Sequence, residues 1–288
     1  MNQPVDHSVD GLVRYRIDLA YDGTEFSGWA KQPGRRTVQG ELLVAMARIF
    51  GPSDNDFGLR VAGRTDAGVH ASHQVAHFDL SPDHFKRLGR STNIRGRLNS
   101  LLTSEVRIFS AEPASADFDA RFSATFRRYR YRIADAASVQ NPLNARYALW
   151  HKQELDLLAM RGAALELIGL HDFASFCKPR VGATTIRELR EISISRSKSG
   201  DREIAIELQA DAFCHNMVRS VVGALVAVGS QRLSRAELAN LLAQARRTSE
   251  FKVVAAKGLT LIEVGYPASR DFAKQADKTR AMRENTQE

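Results

Sequence analysis

Between Arg14 and Tyr21, the apolar-faced residues Tyr15, Ile17, Leu19 and Tyr21 alternate with Arg14, Arg16 and Asp18. Period two is the pattern of a half-buried strand. The period then lengthens: Val38, Leu42, Ala45, Met46 and Ile49 recur at helical spacing, with Thr37 placed to cap the start and Gly51 to stop the end. Strands are predicted near 58–61 and 73–80, a helical stretch over 82–102, and a strand near 106–109. The second half repeats the order. It reads as a strand over 125–133 and a helix over 153–168 that Gly169 ends. Strands near Ile186–Arg196 and 203–210 follow, joined by a Gly-containing hairpin loop at 197–201. A helix over 215–228 comes next, then one begun at Ser234, where Ser-Arg-Ala-Glu forms a capping box. The last strand spans 259–266. Apart from the inserted helix, each half is β-α-β-β-α-β. The predicted fold is therefore α+β, with two ferredoxin-like halves side by side and a central cleft.

Length agrees with two domains, since 288 residues is about twice a common domain size. The boundary falls at 113–119, where Ala, Ser and Asp cluster without periodicity, which gives domains over 13–113 and 119–269. Residues 1–12 and 270–288 are polar and aperiodic and read as mobile tails. No signal-peptide pattern opens the chain, and the apolar run at 221–229 is too short to span a bilayer. Cys177 and Cys214 have neither CxxC spacing nor a disulfide framework. They are expected to be small core residues of a cytoplasmic protein.

Charge changes the picture more than composition does. Lys and Arg number 41 against 33 Asp and Glu, a formal +8, and 32 of the basic residues are Arg. A planar guanidinium forks onto phosphate and stacks on bases, so a nucleic-acid partner is favoured. Three stretches are basic and acid-free in sequence: Lys31, Arg35 and Arg36; Lys86, Arg87, Arg90, Arg95 and Arg97; and Arg121, Arg127, Arg128, Arg130 and Arg132. Each alone reads as a solvated face; together they favour a surface that tracks phosphates.

Candidate chemistry centres on Gly63-Arg64-Thr65-Asp66-Ala67-Gly68-Val69-His70. Two glycines allow a tight loop that displays Asp66, and the adjacent Arg64 would keep the carboxylate ionised for attack or proton removal. An Asx-type turn without function is the competing reading. His70, His73 and His77 do not have zinc-ligand spacing and are expected to be hydrogen-bonded individually, although a metal-dependent nuclease is the rival they suggest. On the strand at 126–132, Tyr129 and Tyr131 share one face and Arg128, Arg130 and Arg132 the other, which suits base stacking and phosphate contact. Arg219 is the lone charge of an apolar helix and calls for a carboxylate partner, with Asp211 and Asp66 as candidates.

These segments resemble the tRNA pseudouridine synthase A family over residues 15–267. The resemblance rests on Tyr21-Asp22-Gly23-Thr24 with Gly28-Trp29, Thr37-Val38-Gln39-Gly40 and the Gly63–His70 string. Phe122 to Tyr131, Gly169-Leu170-His171-Asp172-Phe173 and Asn216-Met217-Val218-Arg219 complete it. It implies isomerisation of uridine to pseudouridine in the anticodon stem-loop of tRNA, at tRNA positions 38 to 40, with no metal or cofactor. It matches Asp66 to the catalytic aspartate, Tyr129 to the pocket tyrosine and Arg219 to the arginine that pairs with the aspartate, with Leu259 as an apolar wall. Arg64 joins the substrate-binding set, and Lys31, Arg35, Arg36, Arg95 and Arg97 are the candidate RNA contacts. A homodimer is also implied. Two departures stand out: Ala30-Lys31 precedes Gln32 where the family has Gln directly after Gly-Trp, and Cys214-His215 replaces Phe-Leu before Asn216-Met217. A non-catalytic tRNA-binding or RNA-chaperone protein is the alternative from another class.

Overall fold

A computed structural model describes residues 8–9, 11–89, 93–180, 182–198 and 200–284. The chain forms two compact units, one of residues up to Thr125 together with Glu263–Glu284, the other of Phe126–Ile262. The division falls after the expected 113–119 junction, and the chain's end returns to the first unit.

In the first unit, β1 (Ser8–Val9) pairs with the start of β2 (Leu12–Tyr21). Helix α1 (Val38–Phe50) follows, with the Thr37 hydroxyl accepting from the Gly40 amide and Gly51 at its C-terminal end. β3 (Arg60–Val61), β4 (His70–Leu80), α2 (Pro82–Leu88), α3 (Ile94–Leu101) and β5 (Val106–Pro113) come next. The stretch expected as one helix over 82–102 is two. Gly89, at φ +69°, ends α2, and the Asn93 side chain caps α3 through the Gly96 amide. Strand pairs run β5-β2-β4-β3, all antiparallel. The inward row of β2, Ile17 and Leu19, is fully buried, as are Leu42 and Met46 of α1 and Phe78 of β4. Each such side chain contributes roughly 1.5–3 kcal/mol of burial.

The segment from Arg270 onward is not a tail over its described length. Helix α7 (Phe272–Glu284) forms there, with the Phe272 ring 5.1 Å from Phe118 and 6.4 Å from Tyr266, and Ala276 buried. Arg280 lies 5.1 Å over the Phe122 ring. One aromatic ring and one buried alanine anchor a helix whose sequence is otherwise too polar to show a hydrophobic period.

The second unit opens with β6 (Phe126–Ala134), then β7 (Leu149–Trp150) and α4 (Leu157–Ala164), shorter than expected because the Asp156 side chain caps it at the Leu158 and Ala159 amides. β8 (Gly169–Asp172), β9 (Ile186–Arg196), β10 (Ile204–Ala210), α5 (Met217–Gly229), α6 (Arg235–Gln244) and β11 (Leu259–Gly265) follow. The Ser234–Glu237 capping box forms as predicted. Strands run β11-β6-β10-β9-β8. Every residue of α5 except Arg219 is buried. Gly223 is required there, because a Cβ would lie 2.0 Å from the Lys252 carbonyl oxygen. The two cysteines, expected to be separate core residues, are joined as a disulfide with Cα atoms 5.8 Å apart. The loops that carry them are already held together by a backbone bond from the Lys178 amide to His215 O, 2.9 Å.

Candidate active site

Asp66 sits where β3 hands over to β4. The Asp66 carbonyl accepts from the Val69 amide at 3.2 Å, closing a tight turn that Gly68 completes at φ +76°. The neighbouring chain clamps this turn from outside: the Trp29 amide donates to Thr65 O at 3.0 Å and the Gly68 amide to Phe26 O at 3.2 Å. Gly28 makes the approach possible, since at φ +92° a Cβ on it would stand 2.8 Å from Thr65 O. Gly28-Trp29 and Gly63–His70 are thus two faces of one device. Asp66 is half-buried, Thr65 is buried and Arg64 is exposed.

Tyr129 lies in β6 opposite Leu208 of β10, buried, with its ring meeting Phe213 edge-on at 5.2 Å. Arg219 occupies the first turn of α5, which begins after Asn216 in a left-handed conformation, φ +67°. The Arg219 Nε donates to Val254 O at 2.8 Å and Nη1 to Asn216 Oδ1 at 3.3 Å. The Val254 amide donates back to Arg219 O at 3.3 Å. Arg219 therefore fixes the segment that leads to Leu259, itself buried at the start of β11. Between them, the Tyr131 hydroxyl donates to Ala255 O at 2.8 Å. Asp211, one candidate partner for Arg219, is turned to backbone instead: its Oδ1 accepts from the Glu188 and Ala212 amides at 3.0 and 2.7 Å.

The three basic stretches lose their acid-free character in space. β-pairing sets Arg130 opposite Glu207, and the two form an ion pair at 2.7 Å. Arg132 pairs with Glu203 at 2.6 Å and Arg128 with Glu191 at 3.2 Å. Arg36 is held between Glu41 and Glu105, at 2.6 and 2.5 Å, above the Phe26 ring; the Glu105 hydrogen bond raises its pKa further. Lys31 reaches Asp56 at 3.0 Å and Lys86 reaches Asp83 at 2.7 Å. Arg95 and Arg97 donate to the carbonyls of Phe109 and Leu88. Arg35 is exposed on its loop. Arg90 lies outside the described residues.

Each histidine of β4 has its own partner. His70 Nδ1 accepts from the Gly23 amide at 3.0 Å, His73 Nε2 meets Asp18 Oδ1 at 3.0 Å, and His77 Nδ1 accepts from the Ala120 amide at 2.9 Å. Burial would raise the Asp18 pKa, but the bonds from His73 and Arg16 prevail and bring it down to about 2. Among the described residues no group of His, Cys, Asp and Glu could hold a metal ion. No helix of the described residues is long and apolar enough to cross a membrane.

Asn216, in the same string as Arg219, binds it. Two further groups around the candidate residues carry no role in the sequence reading: Phe213 packs on Tyr129, and buried Gln74 stands behind the Asp66 loop. A polar residue at an otherwise buried strand position was the available signal for Gln74.

A family model described as tRNA pseudouridine synthase matches residues 163–267. Similarity to curated relatives covers nearly the whole chain. The tRNA pseudouridine synthase A of Leifsonia xyli subsp. xyli is 47% identical over 95% of this chain and 99% of its own length. Proteins of the same name from Streptomyces avermitilis and Streptomyces griseus are 47% and 48% identical, each over 96% of both chains. Glycines 28 and 68, whose contacts and backbone angles shape the Asp66 turn, thus sit in a chain that belongs to the tRNA pseudouridine synthase A family.

Proposed function

We propose that this protein isomerises uridine to pseudouridine in the anticodon stem-loop of tRNA, at tRNA positions 38 to 40, with Asp66 as the catalytic carboxylate. The observation that carries the reading is the turn that displays Asp66, braced by Gly28-Trp29, within a chain of that family. The reaction moves the uracil from an N1–C1′ to a C5–C1′ bond with no net oxidation, so one ionised carboxylate suffices and neither metal nor cofactor is called for. Asp66 either attacks C1′ or takes the C2′ proton to give a glycal. A C2′-deuterated substrate separates these, because only the second route breaks that bond. Tyr129 stacks on the uracil and assists loss of the C5 proton, Arg219 supplies the countercharge that favours the ionised aspartate, and Leu259 provides an apolar wall. The target base must leave the helical stack, at a cost of a few kcal/mol that backbone contacts offset.

The sheet orders β5-β2-β4-β3 and β11-β6-β10-β9 support reading each unit as ferredoxin-like, with the first and third strands central. A homodimer belongs to the same reading and is checked by light scattering. The decisive test maps pseudouridine in tRNA incubated with pure Asp66→Asn. Loss of product with tRNA binding retained supports the catalytic role. Loss of both assigns Asp66 to structure, and unmodified tRNA with the native chain favours the non-catalytic binding protein.

A further inference from the structure

Behind the Asp66 turn runs a short buried chain of side-chain hydrogen bonds. Gln74 is fully buried, and its amide nitrogen donates twice, to Gly63 O at 2.8 Å and to the Tyr21 hydroxyl at 3.2 Å. Its amide oxygen accepts from the Val75 amide at 3.2 Å, so this side chain is satisfied at both ends. The Tyr21 hydroxyl lies 2.8 Å from Thr65 Oγ1. The phenol oxygen accepts from Gln74, and either hydroxyl of the Tyr21–Thr65 pair can donate to the other. Burial pushes the Tyr21 phenol up to about 12, against the opposing bonds of Thr65 and Gln74, so the phenol proton is present throughout the physiological range.

Gln74 and Tyr21 stand on rigid elements: they belong to β4 and β2, which pair from Val13 opposite Leu80 to Tyr21 opposite Ala71. The register slips between Leu19 and Tyr21, so that Leu19 faces Gln74 while Tyr21 faces Ala71. Irregularities of this kind re-aim side chains beside active sites. Gly63 opens the loop and Thr65 immediately precedes Asp66. The chain thus grips the loop two positions apart, at Gly63 and Thr65, while the Trp29 amide holds the Thr65 carbonyl.

We propose that Gln74, Tyr21 and Thr65 act as one positioning relay that transmits the rigidity of the β2–β4 pair to the peptide carrying Asp66. None of the three touches substrate; they set the carboxylate's place. The inference rests on Asp66 being the catalytic group. Misplacing a reacting group by about 1 Å costs on the order of a hundredfold in rate, while substrate binding through distant contacts is unaffected.

The test measures single-turnover pseudouridine formation at saturating tRNA, tRNA affinity and melting temperature for Tyr21→Phe, Thr65→Val, the double variant, Thr65→Ser and Asp66→Asn. Tyr21→Phe keeps the ring and removes only the hydroxyl, so it preserves the packed core. Tyr21→Phe and Thr65→Val should each slow the step about tenfold to a hundredfold, with tRNA affinity within about twofold. The double variant should be no slower than the worse single one, since both break the same link, and Thr65→Ser should recover most of the rate. Native rates in both single variants, multiplying losses in the double, or losses seen only in affinity or folded fraction overturn the relay. Asp66→Asn separates the two levels. If it remains active, the catalytic assignment itself falls; if it is inactive beside fully active Tyr21→Phe and Thr65→Val, only the relay falls.

Discussion

His77 offers a direct measurement of how the first unit responds to acid. Its side chain is 3% exposed, its Nδ1 accepts from the Ala120 amide, and its ring meets Phe118 edge-on at 6.1 Å. Burial lowers the imidazole pKa and the Arg14 charge lowers it further, outweighing Asp119 and Asp79, so that it falls from 6.5 to about 4. An imidazole whose folded pKa lies below its unfolded value binds protons preferentially in the unfolded chain. Stability from this group is therefore complete above pH 6.5 and declines as pH falls toward about 4. The displacement corresponds to roughly 3 kcal/mol at about 1.4 kcal/mol per pKa unit. Urea unfolding followed between pH 7.5 and 4.5, with exchange of the Ala120 amide as the local probe, should show this decline. His77→Gln can still accept from Ala120 without titrating and should flatten the profile in that window, even with about 1 kcal/mol lost at neutral pH. Asp18 and Asp135, both held at about 2, act only at lower pH and do not obscure it. Parallel profiles for native and His77→Gln proteins would refute the reasoning.

Gly28→Ala places a Cβ 2.8 Å from Thr65 O at φ +92°, so it should cost about 2 kcal/mol and lower the rate of pseudouridine formation more than tRNA affinity; chemical denaturation and single-turnover assays check the two effects. Asp135 is fully buried and takes two bonds from Arg196, at 2.7 and 2.8 Å. Asp135→Asn should destabilise the second unit by about 3 kcal/mol in urea titrations. In the native protein, burial opposes the Arg196 bond but does not prevail, so the stability this pair supplies is present above about pH 4 and lost as pH falls through about 2. Arg35→Ala should reduce the salt dependence of tRNA binding by about one phosphate contact, whereas Arg130→Ala, already paired with Glu207, should change it little; titrations at several salt concentrations distinguish them.

What could be read directly from the chain is what its local chemistry determines. Thr37 and Gly51 bound α1, Ser234 and Glu237 cap α6, and Gly68 completes the turn under Asp66, each through contacts within a few residues. The alternation of β2 is equally local, and Ile17 and Leu19 are buried as it predicts. Features set by strand register are different, because the residue across the sheet is not encoded nearby. The Arg128, Arg130 and Arg132 row looks like a phosphate track only until Glu191, Glu207 and Glu203 are brought against it. The relay of Gln74, Tyr21 and Thr65 is hidden for the same reason, since Tyr21 lies 44 positions from Thr65 and 53 from Gln74. Helix α7 escaped because a single ring, Phe272, and a buried Ala276 anchor it, too few apolar positions to form a period. Register therefore acts on the functional reading in two opposite ways. It neutralises arginines that face a partner strand, which shifts the search for RNA contacts to loop residues such as Arg35. It also assembles, behind a locally encoded turn, the buried polar groups that hold a carboxylate in place. A charge count sees neither effect, and the net +8 is best read as bounding the kind of partner rather than locating where that partner binds.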